Sequence, residues 1–332
     1  GPRGILEETA IVKLRDRRVC ITGAAGFIGS HAADVLAGSC DLLLLDNLSS
    51  GRKTNVAGAL NKGRARFVKQ DLLAPKLGPA LKGVEVVMHF AANPDIRGGV
   101  EDPKPTFHEN VVATFRLLDA CRKADVKGFV LASTSTVYGE ARTVPTPEDY
   151  GPLAPMSIYG ASKLTCEAIL SSFAHTYGID GITLRFANVV GGRSTHGVVA
   201  DFVRKLRKTP RRLEIFGREP GTSKSYVYID DAIRGILAGI DRAVSPVDVF
   251  NVGSDDSVTV KEIADTVVRE LRLANVAYAW TGGVAGGGWA GDVRRMVLDT
   301  TKLRASGWRP EFRSADAIAR AARDSSSKFP KL

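Results

Sequence analysis

The sequence predicts an α/β protein: a doubly wound parallel sheet of the Rossmann type with a smaller C-terminal α/β lobe. Three observations carry this expectation. A glycine triplet opens a helix directly after a short apolar run. Apolar runs then alternate with helical patterns as far as Val190, and from Gly191 that rhythm breaks.

The first element is Arg18-Val19-Cys20-Ile21-Thr22, which reads as a buried strand. It runs into Gly23-Ala24-Ala25-Gly26-Phe27-Ile28-Gly29, a G-x-x-G-x-x-G turn, and then an apolar helix through Ala32, Ala33 and Leu36. Gly23 permits the tight turn, Gly26 lets backbone approach a pyrophosphate, and Gly29 allows close helix–strand packing. The helix N-terminus offers its unpaired N–H groups to the phosphates. Next comes Leu42-Leu43-Leu44-Leu45-Asp46, a run that fits a strand buried on both faces. Asp46 ends it, placed to take the adenosine ribose hydroxyls and to repel a 2′-phosphate, which favours NAD over NADP.

Further strands are expected at 66–69, 85–90, 128–133 and 182–186. Segments 226–229 and 247–252 are expected to return to the first lobe. A basic helix near 199–208 and a helix over 258–273 fall to the second, and 282–288 is a glycine-rich loop. The expected division is a cofactor domain over 17–190 plus about 226–255, and a substrate lobe over 191–225 plus about 256–326. Residues 1–16 read as a tag remnant or disordered arm.

Composition narrows the class. A chain of 332 residues with 44% hydrophobic and 25% charged residues can bury a full core in two lobes. No apolar run approaches the ~20 residues needed to span a bilayer, so no membrane association is expected. Cys20, Cys40, Cys121 and Cys166 are scattered without metal spacing, which suits a reducing cytoplasm and no metal site. The net charge of +10 comes from dispersed residues, with Arg204 to Arg212 the densest cluster. No nucleic-acid partner is expected; a positive field also draws in an anionic cofactor and substrate.

Two segments carry chemistry. Ser157-Ile158-Tyr159-Gly160-Ala161-Ser162-Lys163 puts a tyrosine and a lysine four residues apart, on one helical face. An ammonium near a phenol favours the phenolate, so Lys163 is expected to pull Tyr159 down from its usual ~10 and make it a base for a sugar hydroxyl. Ala132-Ser133-Thr134-Ser135-Thr136 follows the run Phe129-Val130-Leu131. A hydroxyl at that strand end, Thr134, can hydrogen-bond the oxygen that Tyr159 deprotonates, or can serve as a helix cap.

These motifs in this order resemble the extended short-chain dehydrogenase/reductases that act on nucleotide sugars, the 4-epimerases most closely, from about Arg18 to Arg320. Other matching stretches are Asp46-Asn47-Leu48-Ser49-Ser50-Gly51, Gln70-Asp71-Leu72, His89-Phe90-Ala91-Ala92, Asn110-Val111-Val112, Arg185-Phe186-Ala187-Asn188 and Gly291-Asp292-Val293. The resemblance implies NAD as cofactor and a nucleotide-diphosphate sugar as substrate, UDP-glucose and UDP-galactose foremost. It also implies a homodimer built through a four-helix bundle. Thr134, Tyr159 and Lys163 would be catalytic. Gly23, Gly26, Phe27, Ile28, Gly29, Asp46, Asn47, Ser49, Gly51, Asn110 and Ser133 would hold the cofactor, with Asp71 and Leu72 at its adenine and Phe90, Ala91, Ala92 and Phe186 at its nicotinamide. Arg97, Thr134, Asn188, Phe216, Lys224, Asp292 and Met296 would meet the substrate. Within this resemblance, Phe216 stacks on the base or belongs to the core, and Lys224 pairs with a phosphate or is a solvated charge.

The resemblance also separates reactions. Related sugar dehydratases carry an Asp-Glu pair after the strand-end hydroxyl, where this chain has Ser135 and Thr136. The uronate decarboxylases carry Glu at the position of Thr136. What remains supports removal and return of one hydride, as in 4-epimerisation; a uronate or N-acetylhexosamine epimerase, a variant reductase or dehydratase, and a catalytically silent binding protein are the alternatives. Trp289 stands where an arginine often grips the diphosphate.

Overall fold

A computed structural model describes residues 11–284 and 287–327. Its strands are β1 (Arg18–Thr22), β2 (Asp41–Asp46), β3 (Ala65–Lys69), β4 (Val86–His89), β5 (Gly128–Thr134), β6 (Asp180–Phe186), β7 (Asn188–Val190), β8 (Arg212–Ile215), β9 (Ser223–Lys224), β10 (Tyr226–Tyr228), β11 (Val247–Val252), β12 (Val258–Thr259), β13 (Ala277–Trp280) and β14 (Arg295–Met296). The helices are α1 (Phe27–Leu36), α2 (Ala57–Asn61), α3 (Gly98–Glu101), α4 (Pro103–Thr106), α5 (Ala113–Lys123), α6 (Ile158–Tyr177), α7 (Val198–Lys208), α8 (Ile229–Arg242), α9 (Val260–Glu270), α10 (Thr301–Arg304) and α11 (Ser314–Ser327).

Seven strands form one sheet in the order β11-β6-β5-β4-β1-β2-β3. Every pairing in it is parallel. The four leucines of β2 show why the run is continuous rather than alternating. Leu42 and Leu44 join a core with Val19, Ile21 and Met88 on one face. Leu43 and Leu45 join a second core with Cys20, Val87 and Phe129 on the other. Helices cover both faces: α5 and α6 supply Leu117, Leu118, Cys166 and Leu170 on the second side. On the first, α1 and α8 supply Ala33, Leu36, Ile233 and Ile236. A sheet so enclosed keeps water from its central strands, while the edge strand β3 stays partly exposed, and it opens at its C-terminal edge, where β1 and β4 diverge in chain order.

The first core continues without a break into the C-terminal part of the chain, through Phe202 of α7, Ile215 of β8, Ile263 of α9 and Ile318 of α11. β11 joins the main sheet beside β6. Segment 226–229, also expected to return to the first lobe, stays outside that sheet. Tyr226–Tyr228 pairs instead with β7 in a separate two-stranded sheet, and Ile229 opens α8. Helix α9 is shorter than the expected 258–273, because Thr259 stops it at its start: a reciprocal capping box joins Thr259 and Glu262.

The expected arm over 1–16 lies outside the described residues up to position 10. From Ile11 the chain is packed: Ile11 donates its backbone N–H to Ala243, and Val12 is buried against Gly128. Of the glycine-rich loop, 285 and 286 also fall outside the described residues.

Candidate active site

A cleft of about 450 Å³ opens along the C-terminal ends of β1, β2, β4 and β5. Its floor is the glycine turn. Gly23 has φ +65°, and a Cβ there would strike the backbone of Ala91 at 2.6 Å. A Cβ on Gly29 would lie 2.2 Å from the Gly23 carbonyl, so α1 sits against β1 closer than any side chain permits. Gly26 differs. Its backbone angles, φ −77° and ψ −171°, suit any residue. A Cβ there would meet only the Gly23 carbonyl, at 3.1 Å. The space above it is therefore a cradle that only a missing Cβ leaves open. The first turn of α1 has no side-chain cap and no acidic residue, so its N–H groups remain available to an anion.

Asp46 ends β2 with both oxygens engaged. Oδ2 accepts from the Ala25 N–H at 2.9 Å and Oδ1 from the Leu48 N–H at 2.7 Å. The residue thus braces the glycine turn while its remaining lone pairs face the cleft. Asn47 and Asp71 are joined at 3.1 Å, which ties the ends of β2 and β3 together at the rim. Phe27, Ile28, Ser49, Leu72, Phe90, Ala91, Ala92 and Phe186 line the same cleft.

Two expected cofactor residues do not line it. Gly51 packs against Ala25, where a Cβ would come within 2.8 Å, and so buttresses the glycine turn from behind. Asn110 lies in a π-helical turn (Phe107–Val112) before α5. Its amide accepts from Asn93 N–H at 2.7 Å and donates to Ser162 Oγ at 2.9 Å, a clamp between the loop after β4 and α6. Ser133 does reach the cleft, but its hydroxyl donates downward to Glu167. Glu167 is itself held by the buried Arg185 at 2.7 Å. Burial works against the Arg185 charge, yet Glu167 and Tyr138 outweigh it and hold the guanidinium above its usual range.

The strand-end hydroxyl serves as the cap of the turn that follows. Thr134 Oγ1 accepts from the Thr136 N–H at 3.2 Å and the Thr136 hydroxyl at 3.1 Å. With both lone pairs engaged, its own proton is directed to a partner outside this pair. Tyr159 and Lys163 follow on α6, whose start is fixed by the Ser157 hydroxyl accepting from Gly160 N–H at 3.0 Å.

A second cavity of about 650 Å³ adjoins the first, and Ser135, Thr136, Asn188 and His196 line both. Arg97, Phe216, Lys224, Asp292 and Met296 all face it, together with Trp289. Phe216 is 38% exposed, so it is a platform in the cavity rather than a core residue. Lys224 is no solvated charge: it pairs with the buried Asp292 at 2.5 Å, and Asp292 also accepts from Gly288 N–H at 2.9 Å. Met296 is mostly core, packed with Val137 and Leu298. His196 escaped sequence reasoning, because nothing local marks a loop histidine that only the chain's return brings to the junction of two cavities.

The model of the NAD dependent epimerase/dehydratase family matches residues 19–253, which include the glycine turn, Asp46, Thr134, Tyr159 and Lys163. The chain belongs to this family. Among relatives, the UDP-glucose 4-epimerase of Mycolicibacterium smegmatis is 35% identical over 315 residues, covering 91% of this chain and 96% of its own. A crystal structure of a UDP-galactose 4-epimerase superposes with a TM-score of 0.84 at 39% identity, covering 94% of this chain and 99% of that one. The UDP-glucose 4-epimerase of Thermus thermophilus, solved in complex with NAD, gives a TM-score of 0.79 at 32% identity over 94% of this chain and 100% of that one. NAD is the cofactor, and the cradle above Gly26 with the uncapped start of α1 fits its pyrophosphate.

In this epimerase/dehydratase family member one electrostatic expectation fails. Burial pushes the Tyr159 phenol up to about 12, and nearby Cys166 adds to the rise. Lys163 does not oppose it, because its ammonium donates to the Ala132 carbonyl at 2.9 Å, beneath the strand end. Burial also draws Lys163 below the ordinary lysine range, against the pull of Cys166 and Glu167. Desolvation, and Lys163 behind it, likewise lower His89 to about 3, so a neutral imidazole bridges Thr22 and Thr114. The ligand-free phenol is thus protonated at neutral pH.

Proposed function

We propose that this NAD-dependent nucleotide-sugar epimerase interconverts C4 epimers of a nucleotide-diphosphate hexose, with UDP-glucose and UDP-galactose the leading pair. One observation carries the reading. The groups at the end of β5 that face the cleft are hydroxyls, on Thr134, Ser135 and Thr136. No carboxylic acid stands there to expel water or to protonate a neighbouring carbon, so the chemistry reduces to one hydroxyl proton and one hydride.

NAD, when bound, accepts that hydride and gives it back. Thr134 directs its free O–H proton to the sugar O4 and orients it. Tyr159 exchanges the O4 proton through a phenol that makes no hydrogen bond to protein among the described residues. A contact worth ~10² to 10⁴ in rate is ordinary for such a group. Lys163, swung from the Ala132 carbonyl to the cofactor ribose, would bring its charge beside the phenol and lower its pKa. The adjoining cavity of about 650 Å³ gives the sugar room to present its other face.

Two finer points belong to the same reading. Phe107, Phe115 and Tyr177 lie 51%, 50% and 51% exposed on α5, α6 and the turn before them. That apolar surface supports a homodimer through a four-helix bundle. All four cysteines are free and buried, which supports a cytoplasmic site of action. The test is a panel of UDP-, dTDP-, GDP- and CDP-hexoses incubated with the protein and resolved by NMR. Interconversion at C4 is the expected result. Loss of water, or solvent deuterium entering at C5 or C6, would move the assignment to elimination chemistry.

A further inference from the structure

We infer that Arg97 grips the diphosphate of the bound nucleotide sugar, presented to it by the rings of Phe216 and Trp289. This deepens the substrate reading above and rests on it. Cations and rings alternate along one side of the larger cavity, which Arg97, Phe216, Lys224 and Trp289 line, with Lys205 beside Phe216 but outside the lining. Lys205 Nζ lies 4.5 Å from the Phe216 ring centre and Arg97 Cζ 5.3 Å from it. Arg97 Cζ is also 5.8 Å from the Trp289 ring centre, and Lys224 Nζ 5.5 Å from that ring.

The three cations are not equivalent. Lys205 is neutralised by Asp201 at 3.0 Å and Lys224 by Asp292 at 2.5 Å. Arg97 has no carboxylate partner among the described residues. It arrives on the loop after β4, whereas Phe216 and Trp289 belong to the smaller lobe, so it reaches across the cavity. The two rings flank the guanidinium, and with no protein acceptor on it among the described residues its N–H fork is open to two oxygens. An oxyanion of the substrate answers that unpartnered charge. The diphosphate is the fitting one, because Phe216 offers a platform for the base and the diphosphate lies between the base and the reacting sugar.

The measurement is calorimetric titration of the NAD-loaded protein with UDP, dTDP, GDP and CDP, with the matching nucleosides, and with UDP-glucose and UDP-glucuronate. Arg97 is exposed, so Arg97→Gln and Arg97→Lys should melt as the unaltered protein does. Arg97→Gln should weaken the preferred diphosphate by about 10- to 100-fold, leave its nucleoside unchanged, and weaken UDP-glucose and UDP-glucuronate equally. Arg97→Lys should fall between, keeping the charge and losing the fork. Unchanged diphosphate affinity overturns the inference. So does a loss confined to UDP-glucuronate, which would assign Arg97 to a sugar carboxylate. If no diphosphate binds the unaltered protein, the nucleotide-sugar reading falls with it.

Discussion

Asp46 shows how one side chain serves two purposes. Its carboxylate anchors the glycine turn through the Ala25 N–H, at the strand end where we propose the ribose lies. Asp46→Ala should therefore do more than relax the preference for NAD over NADP. It leaves the buried Ala25 N–H without an acceptor, at a cost of about 1–3 kcal/mol. Thermal melting and NAD titration should fall together; a variant that changes cofactor preference at unchanged stability would contradict this. Tyr159 makes the complementary case. On the proposed mechanism, where the phenol acts on a proton rather than as an anchor, Tyr159→Phe should reduce kcat by ~10² or more while substrate affinity stays within a fewfold. Equal losses in kcat and affinity, from single-turnover and binding measurements, would make Tyr159 a binding group instead.

At the level of elements, the strand–turn–helix unit of β1 and α1 separates folding from binding at two glycines three residues apart. Gly29→Ala drives a Cβ into the Gly23 carbonyl, where backbone must move, and should unfold or strongly destabilise the protein. Gly26→Ala meets only that carbonyl at 3.1 Å and then fills the cradle. It should keep the melting temperature within a few degrees and weaken NAD by about tenfold or more. A Gly26→Ala protein that binds NAD normally would mean the cradle is not where the pyrophosphate lies. Helix α6 carries Tyr159 and Lys163 in its first two turns, and its capped start at Ser157 sets their positions relative to β5.

For the whole molecule, two quantities can be measured on the unaltered protein. Exposed Phe115 and Tyr177, joined edge-to-face through Phe173 with ring centres 5.9 and 5.0 Å apart, form an apolar ridge on α5 and α6. Light scattering at micromolar concentration should give twice the chain mass, and a monomer mass would remove the proposed bundle. The second is alkaline stability. Burial raises the Tyr138, Tyr159 and Tyr228 phenols to about 12 from an ordinary 10. Between those values the unfolded chain has released protons that the folded chain still holds, so stability falls as pH rises from 10 towards 12 and is fully present below 10. Denaturant midpoints at about pH 9 and about pH 11 should differ in that direction.

Much of this was legible in the sequence, and for a definite reason. The first strands, the glycine turn, Asp46 and the Tyr159–Lys163 face are local: each depends on spacing within one element or across one turn. The four leucines of β2 announce burial on both sides because nothing polar interrupts them. What sequence could not decide depends on where side chains turn once packed. Lys163 points to the Ala132 carbonyl, Ser133 to Glu167, and Asn110 to Asn93 and Ser162, since buried polar groups must find partners and the nearest ones lie on other elements. The alternation of Lys205, Phe216, Arg97, Trp289 and Lys224 joins residues from separate stretches of chain. Its geometry exists only after the two lobes share one core, so only the tertiary structure shows which cation in the cleft is left for the substrate.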